Sequence, residues 1–169
     1  MKNKDYFLSK AQDNFPELKF SVLTPDITEF IGSNGDSVLL DFGDHSVGHF
    51  SFSFDKVDIF VDAPVRLIIK FGEDMREMNN DFSQYNGVLS KTWLQEEIIN
   101  LDFPQQITMP RRYACRYIKI TVERTTRPIR LFDFSFRAST SADISVLKSA
   151  KTEDALLKKI DRVATNTLK

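Results

Sequence analysis

The period of the apolar residues constrains this chain more than any other feature. Phe50, Phe52 and Phe54 alternate with Ser51 and Ser53, and Val65, Leu67, Ile69 and Phe71 alternate with positions that include Arg66 and Lys70. Residues two apart share a face on a strand and diverge on a helix, so these runs predict strands with one buried face. Further runs of strand length lie at 38–42, 48–54, 57–61, 65–71, 88–101, 106–109, 114–123 and 129–138. Turn-forming SNGD at 33–36, DAP at 62–64 and TRP at 126–128 separate them. With no helical period in between, the pattern predicts a mainly β fold, an antiparallel β-sandwich of jelly-roll-like kind. Ile118, Ile120 and Val122 are expected to face inward and Tyr117, Lys119 and Thr121 outward. Phe132, Phe134 and Phe136 form a second phenylalanine ladder, and two such faces meeting across about 10 Å would fill a core.

The period changes near the carboxyl end. Leu156, Leu157, Ile160, Val163, Ala164 and Leu168 fall on one helical face, and Lys158, Lys159, Asp161 and Arg162 on the other. Thr152 is the expected N-cap, with Glu153 and Asp154 placed where the helix dipole favours acids. So wide an apolar stripe calls for a partner: neighbouring helices, or a second copy in a homodimer. The expected organisation is an N-terminal extension or linker at 1–37, a sandwich at 38–140, and at 141–169 a linker with the first helix of a further helical domain. Pro16 and Pro25 suit extended or irregular chain before the sandwich.

Size and charge narrow the function. A chain of 169 residues that is 41% hydrophobic holds one domain with a core. Twenty-three basic residues against 24 acidic ones leave a net charge of −1, which argues against a nucleic-acid or anionic-membrane partner. Fifteen Phe against one Trp and four Tyr favour a phenyl-packed interior over a surface of stacking platforms. The single cysteine, Cys115, lies inside an apolar strand pattern and reads as a buried, inert thiol. The first ten residues, MKNKDYFLSK, lead into no apolar run of signal or membrane-spanning length, so the expected location is the cytoplasm by default.

LDFGDHSVGHFSFSF at 40–54, APVRLIIKFGEDM at 63–75, RYIKITV at 116–122 and IRLFDFSF at 129–136 followed by a helix resemble, in order and spacing, the β-sandwich region of bacterial α-L-rhamnosidases. The chain departs from that pattern at His49, where an aromatic is common, and at Ala114 and Cys115, where Gly and Phe are usual. The resemblance implies a sandwich that precedes an (α/α)-barrel catalytic domain carrying the catalytic acid and base. It therefore implies no catalytic residue here, no cofactor, and the helical catalytic domain of a parent glycoside hydrolase as partner. A free-standing carbohydrate-binding module and a sandwich for protein interaction are the alternatives.

The residues offer few other sites. His45 and His49 are four apart, but on a strand that separates them by about 13 Å, too far to share a metal, so a structural strand start is expected. Asp41, Asp44, Asp62 and Asp74 have no calcium-loop spacing, and no metal site is expected. Glu96 and Glu97 read as strand-edge charges facing opposite sides. The binding candidate is the polar stretch GEDMREMNNDFSQYNG at 72–87 with Trp93 beyond it. Tyr85 and Trp93 supply flat faces, and Asn79, Asn80 and Gln84 supply amides, the groups that hold sugars. The same loop could instead dock on the catalytic domain.

Overall fold

The computed structural model describes residues 19–58, 64–102, 104–142, 148 and 151–167. The chain divides into two compact units, one of 21–138 and one of 1–20 with 139–169. Among the described residues eight strands form an antiparallel sheet: β1 (Lys19–Leu23), β2 (Glu29–Gly32), β3 (Ser37–Lys56), β4 (Val65–Gly72), β5 (Gln95–Leu101), β6 (Gln105–Thr108), β7 (Tyr113–Arg124) and β8 (Ile129–Thr140). Their order is β1-β8-β3-β7-β4-β5, with β2 also on β8 and β6 also on β3.

The long strand β3 explains why one sheet makes a sandwich-like core. Its first half pairs with β7, from Ser37 opposite Thr121 to Gly48 opposite Tyr113. Its second half pairs with β8 on one side, from Gly48 opposite Ala138, and with β6 on the other. The strand thus passes from one half of the fold to the other, and Gly48 is the crossing point. A Cβ there would collide with the carbonyl of Arg137, so the residue must be glycine. Alternate side chains of both halves, Val38, Leu40, Phe42, Phe50, Phe52 and Phe54, are buried in one cluster with Leu67, Ile69, Phe71, Ile118, Ile120 and Val122. Phe50 meets Phe71 edge-on at 6.2 Å, which ties a β3 face to a β4 face.

The inward and outward faces of β4 and of β7 from Ile118 onward follow the sequence alternation. The second phenylalanine ladder does not. Leu131, Phe134 and Phe136 are buried, while Phe132 is only half-buried on the other phase. The cause is a one-residue bulge: pairing with β3 shifts between Ser51 and Ser53, and Asp133 takes the left-handed region at φ 53°. The run expected at 88–101 is a strand only from Gln95, and Val57 and Asp58 lie past the end of β3 in a bend. Positions 59–63, including Asp62 and most of the DAP turn, are outside the described residues.

The second unit contains the expected C-terminal helix, at Ala155–Thr167. Its N-cap is Asp154 rather than Thr152. Asp154 Oδ1 accepts from the amides of Leu156 at 2.8 Å and Leu157 at 3.1 Å, while Thr152 Oγ1 accepts from the amide of Asp154. Leu156, Leu157, Ile160 and Val163 are exposed, and Leu168 lies outside the described residues. Among the described residues no helix is long and apolar enough to cross a membrane.

Candidate functional site

The stretch DFGDH, with its acids, glycine and histidine, is a strand bulge. Asp41 pairs with Tyr117 and Ser46 with Cys115, so Phe42 to His45 stand opposite the single residue Arg116. Gly43 supplies the turn with φ +86°, and its amide donates to Asp41 Oδ1 at 2.8 Å. Arg116 closes the bulge by donating from Nε and Nη2 to the two oxygens of Asp41, both at 2.8 Å. That guanidinium holds the Asp41 carboxyl below its usual range, with the Gly43 amide adding to it. His45 reaches Glu73 at 3.3 Å. Among the described residues no three His, Cys, Asp or Glu side chains gather as metal ligands. Cys115 is buried, and desolvation pushes its thiol up to about 12.

Glu96 and Glu97 are also structural. Glu96 pairs with Lys70 at 3.5 Å. Glu97 lies opposite the inward-facing Ile69 at the sheet edge, where it accepts from Arg111 Nε at 2.7 Å and the Tyr113 hydroxyl at 3.0 Å. Tyr113 itself stacks on Phe71 at 3.7 Å.

The connection from β4 to β5 differs in kind. It is too polar to bury, so short capped turns hold it in place of a core. Helix α1 (Met75–Asn79) is capped by Asp74, and 3-10 turns at Phe82–Gln84 and Lys91–Trp93 are capped by Asp81 and Ser90. Met78 is the buried residue of α1, seated where a Cβ on Gly72 would clash with it. Lysines tie the outer chain to the sheet and to itself. Lys70 Nζ donates to the Asn80 carbonyl at 2.8 Å and sits 4.6 Å from the Phe82 ring centre. Lys119 donates to the Met78 carbonyl and Lys91 to that of Ser83.

These turns enclose an open concavity of about 610 Å³. Asn80, Gln84, Tyr85 and Trp93 line it together, and Asn79 does not. Trp93 is 74% exposed, a flat face offered to solvent. The sequence reading missed Phe71, Leu94 and Gln95, and within the polar run itself Phe82 and three carboxylates, Glu73, Glu77 and Asp81. Their signal was present within the same polar run, but carboxylates are too common in this chain to single out without geometry. Hydrogen bonds from Ser83, with Lys70 nearby, hold the Asp81 carboxyl below its usual range. No lysine or arginine lines the concavity among the described residues.

The family described as glycosyl hydrolase family 78 alpha-rhamnosidase N-terminal domain matches residues 19–141. A solved rhamnosidase from Klebsiella oxytoca with rhamnose bound is 33% identical over 97% of this chain, with a TM-score of 0.81. This chain covers only 37% of that protein. A family 78 rhamnosidase from Bacillus sp. GL1 is 19% identical over 63% of this chain and 10% of its own, with a TM-score of 0.46. A search of curated proteins finds no match.

Proposed function

Since this chain belongs to the glycosyl hydrolase family 78 alpha-rhamnosidase N-terminal domain family, we propose that it is a non-catalytic sandwich that supports the helical catalytic domain of a rhamnosidase. The observation that carries the reading is the lopsided coverage of the Klebsiella rhamnosidase: nearly all of this chain corresponds to little more than a third of that one. The chemistry of the sheet agrees with it. Asp41, Glu96 and Glu97 are each committed to a basic partner, and a glycosidase needs two carboxyls facing a sugar across a set gap. The exposed Val88 and Leu89, beside the concavity in sequence, are suited to contact with the supported domain.

The test is release of rhamnose from an aryl rhamnoside, together with the coding sequence downstream of Lys169. The expected result is no turnover by this chain and continuation into a helical domain. Turnover that is lost when one carboxylate of this chain is changed would refute the proposal.

A second reading, direct contact with carbohydrate, draws on one observation. Tyr85 and Gln84 from one turn, Asn80 from the end of α1 and Trp93 from another turn converge on a single concavity. Aromatic faces and planar amides there match what a sugar ring and its hydroxyls require.

A further inference from the structure

The concavity carries a charge signature that narrows its ligand. This inference rests on the carbohydrate-contact reading above and deepens it. The volume, about 610 Å³, is of the size that takes a small molecule of two or three rings rather than one side chain. Its aromatic lining is Phe71, Phe82, Tyr85 and Trp93, and its charged groups are Glu73, Glu77 and Asp81. The neighbouring cations are already engaged. Lys70 holds the Asn80 carbonyl and Glu96, Arg76 is paired with Asp74 at 2.9 Å, and Lys91 and Lys119 hold backbone carbonyls. His45 sits against Glu73. An arriving anion would meet carboxylates with no uncommitted lysine or arginine on the wall. An arriving hydroxyl or ammonium would meet acceptors.

We propose that this concavity binds neutral or amino-bearing glycosides and rejects uronates, with the aromatic walls taking the ring faces and the three carboxylates setting the permitted charge. Glu77 and Asp81 are the main determinants. Glu77 leaves one oxygen free of the Glu73 amide, and Asp81, held by the Ser83 amide, adds its charge to the same wall. Trp93 contributes to every ligand alike, because stacking is indifferent to the charge of a distant substituent.

Calorimetric titration with three rhamnosyl disaccharides tests this, the second sugar carrying at C6 a hydroxyl, a carboxylate or an ammonium. The expected order is ammonium tightest, hydroxyl next, and carboxylate weaker than hydroxyl by about tenfold or more. Added salt should narrow the spread. Glu77→Gln with Asp81→Asn keeps both capping acceptors and should collapse the series to a common affinity, while Trp93→Ala should weaken all three by a similar factor. Carboxylate binding equal to or tighter than hydroxyl, or an unchanged series in the double variant, overturns the proposal. So does absence of binding of all three by the unaltered protein. That last outcome leaves the accessory-domain reading standing, because rhamnoside hydrolysis and the downstream sequence test it separately.

Discussion

The β3 bulge and the β4–β5 connection are built from the same kinds of residue and end in opposite states. Each places acids next to a glycine, Asp41 and Asp44 about Gly43 and Glu73 and Asp74 after Gly72. In the bulge the Asp41 carboxylate is taken up at the surface by the guanidinium of Arg116 and the Gly43 amide. In the connection, Glu73, Glu77 and Asp81 share a wall with Phe82, Tyr85 and Trp93 around open space. Residue type alone therefore does not distinguish a structural knot from an open concavity. The difference lies in whether the hydrogen-bonding capacity is already used.

The sharpest way to break that contrast is to attack the core that the bulged strand feeds. Phe52 is fully buried, stacked on Phe50 at 5.4 Å, and sits in the half of β3 flanked by β6 and β8. Phe52→Ala removes the ring and leaves a cavity that strands paired on both sides cannot close. The expected loss is about 3–5 kcal/mol, read as a lower denaturation midpoint. A loss below about 1 kcal/mol would mean that the second half of β3 is not the centre of the core.

A smaller effect is expected at the bulge clamp. Arg116 and Asp41 are each more than a third exposed, so their bidentate pair contributes no more than about 1 kcal/mol after solvent screening. Its pH dependence gives the sign. Because the folded Asp41 pKa is depressed, the pair's contribution is fully present above the unfolded value of 3.8 and is lost as pH falls through the folded one. Arg116→Ala should therefore lower stability at neutral pH, and the gap from the unaltered protein should shrink in acid. A gap that stays constant across that range would show that Arg116 acts through packing, against Tyr117 at 4.8 Å, rather than through its charge.

The two regions also differ in how much of them could be read from sequence. The faces of β4, and of β7 from Ile118, were legible because their ladder is regular from Leu67 opposite Val122 to Gly72 opposite Tyr117, which preserves a period of two. Phe132 was misread because the left-handed turn at Asp133 advances the phase by one, and nothing in the string LFDFSF marks where the extra residue falls. At the concavity, the polar run stood out after a strong strand and Trp93 stood out by type, although it fell inside the run expected at 88–101, and those signals single out Asn80, Gln84, Tyr85 and Trp93. Asn79 was indistinguishable from Asn80 by type, and only the end of α1 separates them in space. The carboxylate wall was illegible because acids are common in this chain and their convergence needs the fold, and Asp41 was ambiguous because its partner is distant in sequence. Arg116 lies 75 positions from the aspartate it clamps.

The smallest expected effect on stability sharpens the comparison most. Trp93 is the largest side chain in the connection, yet it is 74% exposed and lies outside the buried cluster. If the connection presents a surface rather than supporting the core, Trp93→Ala should change stability by no more than about 0.5 kcal/mol, unlike an aromatic deletion in β3. Its 3-10 turn should persist, because that turn depends on the Ser90 cap and on the Leu94 amide bonding to Lys91, neither of which involves the indole. Equal denaturation midpoints for Trp93→Ala and the unaltered protein are therefore expected. A loss of about 2 kcal/mol or more would show that the indole supports the fold, and the connection would then resemble the bulge it is contrasted with.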